Sequence, residues 1–266
     1  MSEPDEMGLT PEAAQGYEQF FVPAIFDQWP QRIIEAAGVR EGDDVLEVGC
    51  GTGVLAREVI KRVGPDGNVT GLDLSESMLG VARGISPDVD FRQGNAMNLH
   101  FNDGSFDAAI ASFMLMFVPD PVLAISEMWR VLKPGGRLVI TVWEALDQNP
   151  VYAGLADIAR RNIDDAAGSS LAWPFALGED GKLAELCRSA GVGNVETSAH
   201  DGRAKFPSLE GFVRTEIQAW VLADSVDEKS LSAVVADSQE RFAGYCDATG
   251  AVDIPLNAVM AMTNKS

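Results

Sequence analysis

Asp44-Val45-Leu46-Glu47-Val48-Gly49-Cys50-Gly51-Thr52-Gly53 is the stretch whose reading decides the fold. Val45, Leu46 and Val48 form the short aliphatic and β-branched run of a buried parallel strand, expected over 44–48, with Glu47 near its carboxyl end. Gly49, Gly51 and Gly53 then let the backbone turn through positive φ and come close to a ligand. Val54, Leu55, Val59, Ile60 and Val63 trace one apolar face of a helix expected over 53–63. Strand, glycine turn and helix make a cradle of the nucleotide-binding type.

Spacing narrows the ligand. A dinucleotide cradle follows G-x-G-x-x-G, in which the third glycine brings helix and strand together around a pyrophosphate. That third place is held by Val54, and Gly53 comes one residue early. The pattern is E-x-G-x-G-x-G, which resembles the first motif of the class I S-adenosylmethionine-dependent methyltransferases. A second anchor follows in Asn68-Val69-Thr70-Gly71-Leu72-Asp73-Leu74, a strand expected over 68–73 that delivers Asp73 to the same edge as the turn. An acid about 20 residues or slightly more past such a turn accepts hydrogen bonds from ribose hydroxyls. The competing use of Asp73 is as a helix N-cap, but Ser75 is the better placed cap for a helix over 76–83.

Further along, Val89–Gln93 reads as a third strand followed by Gly94-Asn95-Ala96, and Phe106–Ser112 as a fourth. Asp120-Pro121 caps and starts a helix that Lys133-Pro134-Gly135-Gly136 stops, and Arg137–Trp143 is the fifth strand. Val131-Leu132-Lys133-Pro134-Gly135-Gly136 is similar to the same family's pattern, so the resemblance covers residues 44–143 in order. It implies an α/β, Rossmann-like fold: a seven-stranded, mostly parallel sheet with an antiparallel last strand and helices on both faces.

The resemblance also implies S-adenosyl-L-methionine as cofactor and S-adenosyl-L-homocysteine as product. Glu47 would offset the ammonium of the methionine portion, and the turn of Gly49, Cys50, Gly51 and Gly53 would receive its carboxylate through backbone amides. Asp73 would take the ribose, with Leu74 and Met78 beside it. Asn95, Ala96 and Met97 would serve the adenine. The family often carries Gly-Asp-Ala here, and Asn95 keeps the role with one charge fewer, its carbonyl accepting from the adenine amine. A plain loop asparagine is the competing reading. Ser112 would line the methyl-donor side, where Met114 and Met116, beside Phe113 and Phe117, are either core or an adaptable wall. Tyr17 lies in a helical stretch, 11–37, interrupted by Pro23 and Pro30. The resemblance implies that a tyrosine from it reaches the cofactor.

Composition sets limits. A formal net charge of −20, from 40 acids against 20 bases, repels nucleic acid, and no Lys/Arg cluster offers a local groove. Cys50, Cys187 and Cys246 are odd in number and far apart, which fits a reduced cytoplasm and gives no zinc or dithiol pattern. Met1–Glu12 is acidic where a secretory leader would be basic and then apolar. The longest apolar run, Ala108–Val118, falls far short of the ~20 residues that cross a bilayer. No metal and no membrane span are expected. A homodimer is one assembly compatible with such a chain.

After strand five, helices are expected over 151–163 and 183–190, and 194–206 reads as a strand broken at Asp201-Gly202. Residues 208–244 are helical again, with Ser225-Val226-Asp227-Glu228 as a capping box, and 255–263 is the last strand. The expected organisation is an N-terminal helical cap over 1–40, a core over 41–206, a helical lid over 207–250, and a last core strand within 251–266. The expected activity is methyl transfer to a small, apolar acceptor at carbon or oxygen. Neither His100 nor His200 is placed as a general base, and no catalytic residue is named. The rivals are a catalytically silent sensor of the same cofactor and, against the evidence of Val54, a nicotinamide-dependent oxidoreductase.

Overall fold

Helices α1 (Pro11–Gly16) and α2 (Pro30–Ala36) flank a π-helical segment, Tyr17–Phe26, that carries Pro23 inside it. Pro23 therefore does not interrupt the stretch, because a wider helical turn tolerates a residue without an N–H donor. A computed structural model of the chain describes residues 9–217 and 226–266. It continues with β1 (Asp44–Val48), α3 (Ala56–Val63), β2 (Asn68–Asp73), α4 (Glu76–Ile85), β3 (Asp90–Gln93), β4 (Phe106–Ser112), α5 (Pro121–Val131) and β5 (Leu132–Trp143). Then come α6 (Pro150–Asn162), α7 (Asp165–Ala172), α8 (Lys182–Ser189), β6 (Glu196–His200), β7 (Arg203–Phe206), α9 (Leu209–Ile217), α10 (Glu228–Phe242), β8 (Val252–Pro255) and β9 (Ala258–Asn264).

Seven strands form one sheet in the order β3-β2-β1-β4-β5-β9-β6, mostly parallel with β9 antiparallel and helices around it. β1 pairs in parallel with β2 and with β4, so it lies inside the sheet. Its Val45, Leu46 and Val48 are fully buried, as are Ala108 to Ala111 of β4. Such continuous apolar runs are what a parallel strand covered on both faces requires. The register places Val48 beside Leu72 and Ala111, so β1, β2 and β4 end together, and their carboxyl ends share one edge.

The chain divides into two compact units. One comprises Met1–Val142, Gly181–Ser198 and Val259–Ser266, and holds the sheet and the glycine turn; the other comprises Trp143–Asp180 and Ala199–Ala258. In the second, the side chain of Asn149, which is fully buried, donates to the carbonyls of Glu144 and Ala145 and accepts from the Asn257 amide. Tyr152 donates to the buried Glu216 at 3.0 Å among Phe175 and Phe212.

Several boundaries differ from the sequence expectation. α3 starts at Ala56 because Gly53 has φ +81°, a turn conformation outside the helical region. Lys133-Pro134-Gly135-Gly136 lies within β5, which exchanges backbone hydrogen bonds with Lys265 at Gly135 and Gly136. The stretch 194–206 is not one broken strand: β6 joins the main sheet, whereas β7 pairs antiparallel with β8 in a sheet of their own. The last strand does not start at Pro255, which ends β8. The chain breaks at Leu256-Asn257, whose amides bond to Gly202 and Asn149, before β9 begins. α7 was not legible at all. Of the expected capping box, Ser225 lies outside the described residues, as does the rest of 218–225 within the helical stretch, and the cap of α10 is Asp227, accepting from the Ser230 amide. The stretch expected as a helical lid holds α9 and α10.

Candidate functional site

Three positive-φ glycines carry the chain away from β1: Gly49 at +72°, Gly51 at +52° and Gly53 at +81°. They are not equivalent. A Cβ on Gly49 would lie 2.5 Å from the Cβ of Met114, so that glycine is required by the wall beside it, whereas a Cβ on Gly51 would meet nothing within 4 Å. The open space of the turn is therefore above Gly51.

The amides of the turn are largely spoken for. Gly49 and Cys50 both donate to the Leu72 carbonyl at 2.7 and 3.0 Å, and Gly53 donates to the Cys50 carbonyl at 2.8 Å. The Gly51 amide donates to Asp73 Oδ2 at 2.8 Å. These bonds fix the turn's shape. Cys50 gives the site only backbone. Its buried thiol would lie 3.0 Å from a Cβ on Gly71, and burial pushes its pKa well up. What the turn leaves unsatisfied is Thr52, 1 % exposed, whose Oγ1 has no partner among the described residues. Sequence reasoning passed over Thr52 as a spacer between glycines, and nothing in its type or position marked it.

Two carboxylates face this turn. Asp73, at the end of β2, accepts from Gly51 through Oδ2 and from the Ser75 amide through Oδ1 at 2.9 Å, so its rotamer is locked from both sides. Ser75 itself is the cap of α4, its hydroxyl accepting from the Met78 amide at 3.1 Å. Glu47 is 2 % exposed, and its Oε2 has no partner among the described residues. Burial raises its pKa well above the ordinary value, against the Ala56 amide that donates to it; Asp73 raises it further and Arg57 opposes. A buried carboxylate oxygen without a donor is costly unless a ligand completes it.

The π-helical segment brings Tyr17 to the same place. Its phenol feels Asp73, Glu18 and Glu47, and burial foremost raises its pKa far beyond the usual range. Its ring packs on Phe21 at 5.8 Å and Phe26 at 5.4 Å. Phe26 and Trp29 in turn meet Phe113 edge-on at 5.7 and 5.2 Å. Phe113, just beyond β4, holds φ +54°, a strained value for an aromatic residue of the kind that persists where surrounding structure enforces it. Ser112, half-exposed, pairs with Thr141 at the end of the same strand.

The remaining candidates are placed less decisively. Leu74 and Met78 are half-exposed just past Asp73, the Leu74 carbonyl accepting from Gln93. The Gly94 amide donates to the Asp73 carbonyl at 2.9 Å, which sets Asn95, Ala96 and Met97 next to β2. Asn95 is exposed and its Oδ1 accepts from the Met97 amide at 2.8 Å, a local turn that occupies two of the groups assigned to a base. Ala96 is buried. His100 is exposed, 3.1 Å from the Asn98 amide nitrogen. Among the described residues no group of three or more His, Cys, Asp or Glu could hold a metal, and no helix is long and apolar enough to cross a membrane.

An α/β sheet with a glycine turn after its first strand, a buried carboxylate near the end of that strand and another held at the end of its second has the form of a nucleoside-binding site. The methyltransferase domain family matches residues 46–140. The chain is 34% identical over 194 residues to a demethylmenaquinone methyltransferase of Lactococcus lactis, 67% of this chain and 77% of that protein. It is 46% identical over 114 residues to a demethylmenaquinone methyltransferase of Staphylococcus aureus, 42% of this chain and 47%, about half, of that one. A crystal structure of a methyltransferase described as putative, from Bacillus halodurans, superposes with a TM-score of 0.61 at 17% identity, covering 90% of this chain and 99% of that one. The chain belongs to the class I S-adenosylmethionine-dependent methyltransferases and is related to the quinone-biosynthesis enzymes among them.

Proposed function

We propose that this methyltransferase acts in the cytoplasm on a small, apolar, electron-rich ring of the reduced quinone type, adding the methyl group to carbon. The observation that carries the reading is the identity with two demethylmenaquinone methyltransferases. Tyr17, half-exposed and packed on Phe21 and Phe26, supports it, since an aromatic face of this kind suits a ring.

The cofactor, when bound, supplies a methyl group already activated by a sulfonium charge, so the protein contributes placement and exclusion of water. In this reading Glu47 Oε2 receives the ammonium of the methionine portion, and the Thr52 hydroxyl donates to its carboxylate. Asp73 accepts from the ribose hydroxyls. Glu47 and Asp73 together hold a cationic ligand by charge in a site that burial keeps poor in water. Asn95 lies beside the adenine, with Ala96, Met97, Leu74 and Met78 as its surroundings. Tyr17 closes the site over Glu47 and Asp73, and Ser112 borders the methyl. His100 is exposed, and a ring carbon activated by an ionised hydroxyl group attacks the methyl without a base, the ring proton at that carbon then passing to solvent as the ring is restored.

The test is isotope transfer from methyl-labelled cofactor to a short-chain demethylmenaquinol, a catechol and a primary amine offered in parallel. Label in the carbon-methylated naphthoquinol, and little in the others, is expected. Preferential labelling of catechol oxygen or of the amine would replace this reading.

A further inference from the structure

Arg57, on the first turn of α3, donates through one guanidinium nitrogen to Glu18 at 2.9 Å and through the other to the Thr52 carbonyl at 3.4 Å. Both side chains are less than a fifth exposed. Glu18 follows Tyr17 on the π-helical segment, and Arg57 follows Ala56, whose amide donates to Glu47. One cation thus stands among the carboxylates of Glu18 and Glu47 and is bound to the first of them only. The second keeps a buried oxygen without a partner among the described residues.

That partition matters because Arg57 also donates to the Thr52 carbonyl, in the turn that follows the strand of Glu47, so a guanidinium released from Glu18 stays beside that turn. Pairing there would satisfy Glu47 and remove the negative charge intended for a ligand. We infer that Glu18 is a positioning residue that holds Arg57 away from Glu47, keeping the Glu47 carboxylate open for the cationic end of the cofactor. The inference rests on the assignment of Glu47 to the ammonium. Glu18 acts through Arg57, to which its Oε1 is bound.

The experiment compares two probes, S-adenosylhomocysteine and its deaminated analogue, which keeps the carboxylate and lacks the ammonium. Glu18→Gln preserves the shape of the side chain and removes its charge. It should weaken S-adenosylhomocysteine about tenfold and the deaminated probe less than about twofold. Adding Arg57→Gln to Glu18→Gln removes the competitor and should restore S-adenosylhomocysteine to within about threefold of the unaltered protein. Equal weakening of both probes, or no recovery in the double variant, overturns the inference and leaves the pair as a tether of the N-terminal segment. Glu47→Gln separates the two levels. If it fails to discriminate between the probes, the ammonium assignment itself falls and the inference with it; if it discriminates and Glu18→Gln does not, only the role of Glu18 falls.

Discussion

At the amino-terminal ends of the parallel strands, Lys133 bridges Asp44 at 2.9 Å and Asp107 at 2.8 Å, and Arg137 pairs with Asp43 at 2.6 Å. At the carboxyl-terminal ends of the same strands, Glu47 is buried with an oxygen unpartnered, Thr52 is buried with its hydroxyl unpartnered, and Arg57 is spent on Glu18. The same strands therefore carry a closed charge network at one edge and an open one at the other. Asp44 is held below its ordinary pKa by Asn68 and then Lys133, whereas Glu47 is held above its own by burial. At one edge each carboxylate has a cation; at the other Glu47 and Thr52 each keep a buried oxygen without a partner among the described residues. The partly exposed ion pairs contribute modestly to stability.

The strongest way to break this contrast is to fill the open edge. Gly51→Val adds a β-branched side chain at φ +52° into space that no protein atom occupies within 4 Å of its Cβ. The strain is about 1–3 kcal/mol, which a folded domain survives. The loss of ligand should be larger, more than about a hundredfold in affinity for S-adenosylhomocysteine, some 3 kcal/mol. Calorimetry together with circular dichroism checks it. Normal binding by a folded Gly51→Val variant would mean that the space above the turn is not where the ligand lies.

A sharper comparison comes from pH, because the two edges respond in opposite senses. Asp44, with its pKa depressed in the fold, stabilises above the unfolded carboxylate value, and that stability is lost as pH falls through the folded one. Glu47, with its pKa raised, favours the fold below the unfolded value and progressively disfavours it as pH rises through the folded one. An ammonium ligand reverses the second effect, since it favours the ionised carboxylate. Affinity for S-adenosylhomocysteine should then rise by up to about tenfold per pH unit below the pKa of the free site, with about one proton released on binding. Titration in buffers of different ionisation enthalpy measures the proton. Glu47→Gln should bind more weakly and without the pH slope; a slope that persists in that variant assigns it to another group.

How much of this was legible in the sequence depended on the type of signal. β1, β2 and β4 were read to the residue because their apolar runs are bounded by turn-forming or polar residues, Asp44 and Gly49, Gly67 and Asp73, Ser105 and Ser112. Glu47 and Asp73 were legible as an acid at each of two strand ends, and the fold places both at the turn. Their environments were not legible. The engagement of the Gly49, Cys50, Gly51 and Gly53 amides depends on Leu72 and Asp73 across the sheet. The isolation of Thr52 and the pairing of Glu18 with Arg57, 39 positions apart, arise only from packing. The π-helical form of Tyr17–Phe26 was hidden because Pro23 reads as a helix breaker. β7 and β8 were misread because each is a four-residue strand whose alternation is too brief to separate from an extension of its neighbour.

The smallest expected effect tests whether the closed edge really is independent of the open one. Lys265, just past β9, donates to the carbonyls of Trp129 at 2.6 Å, Arg130 at 3.2 Å and Leu132 at 2.9 Å, closing the end of α5. Helix carbonyls at a C-terminus lack intrahelical partners and carry partial negative charge, so an ammonium there satisfies both needs. Burial lowers the Lys265 pKa, opposed by Asp103, so part of the gain is offset by desolvation. Lys265→Met keeps the length and apolar stem of the side chain and removes the donor. It should cost about 1–2 kcal/mol in denaturant unfolding, the range for hydrogen bonds to a charged group less their desolvation. Affinity for S-adenosylhomocysteine should stay within about twofold, as expected for sites without shared partners. If that affinity falls in step with stability, the two edges are mechanically coupled through the strands, and the division between a finished edge and an open one describes only their charges.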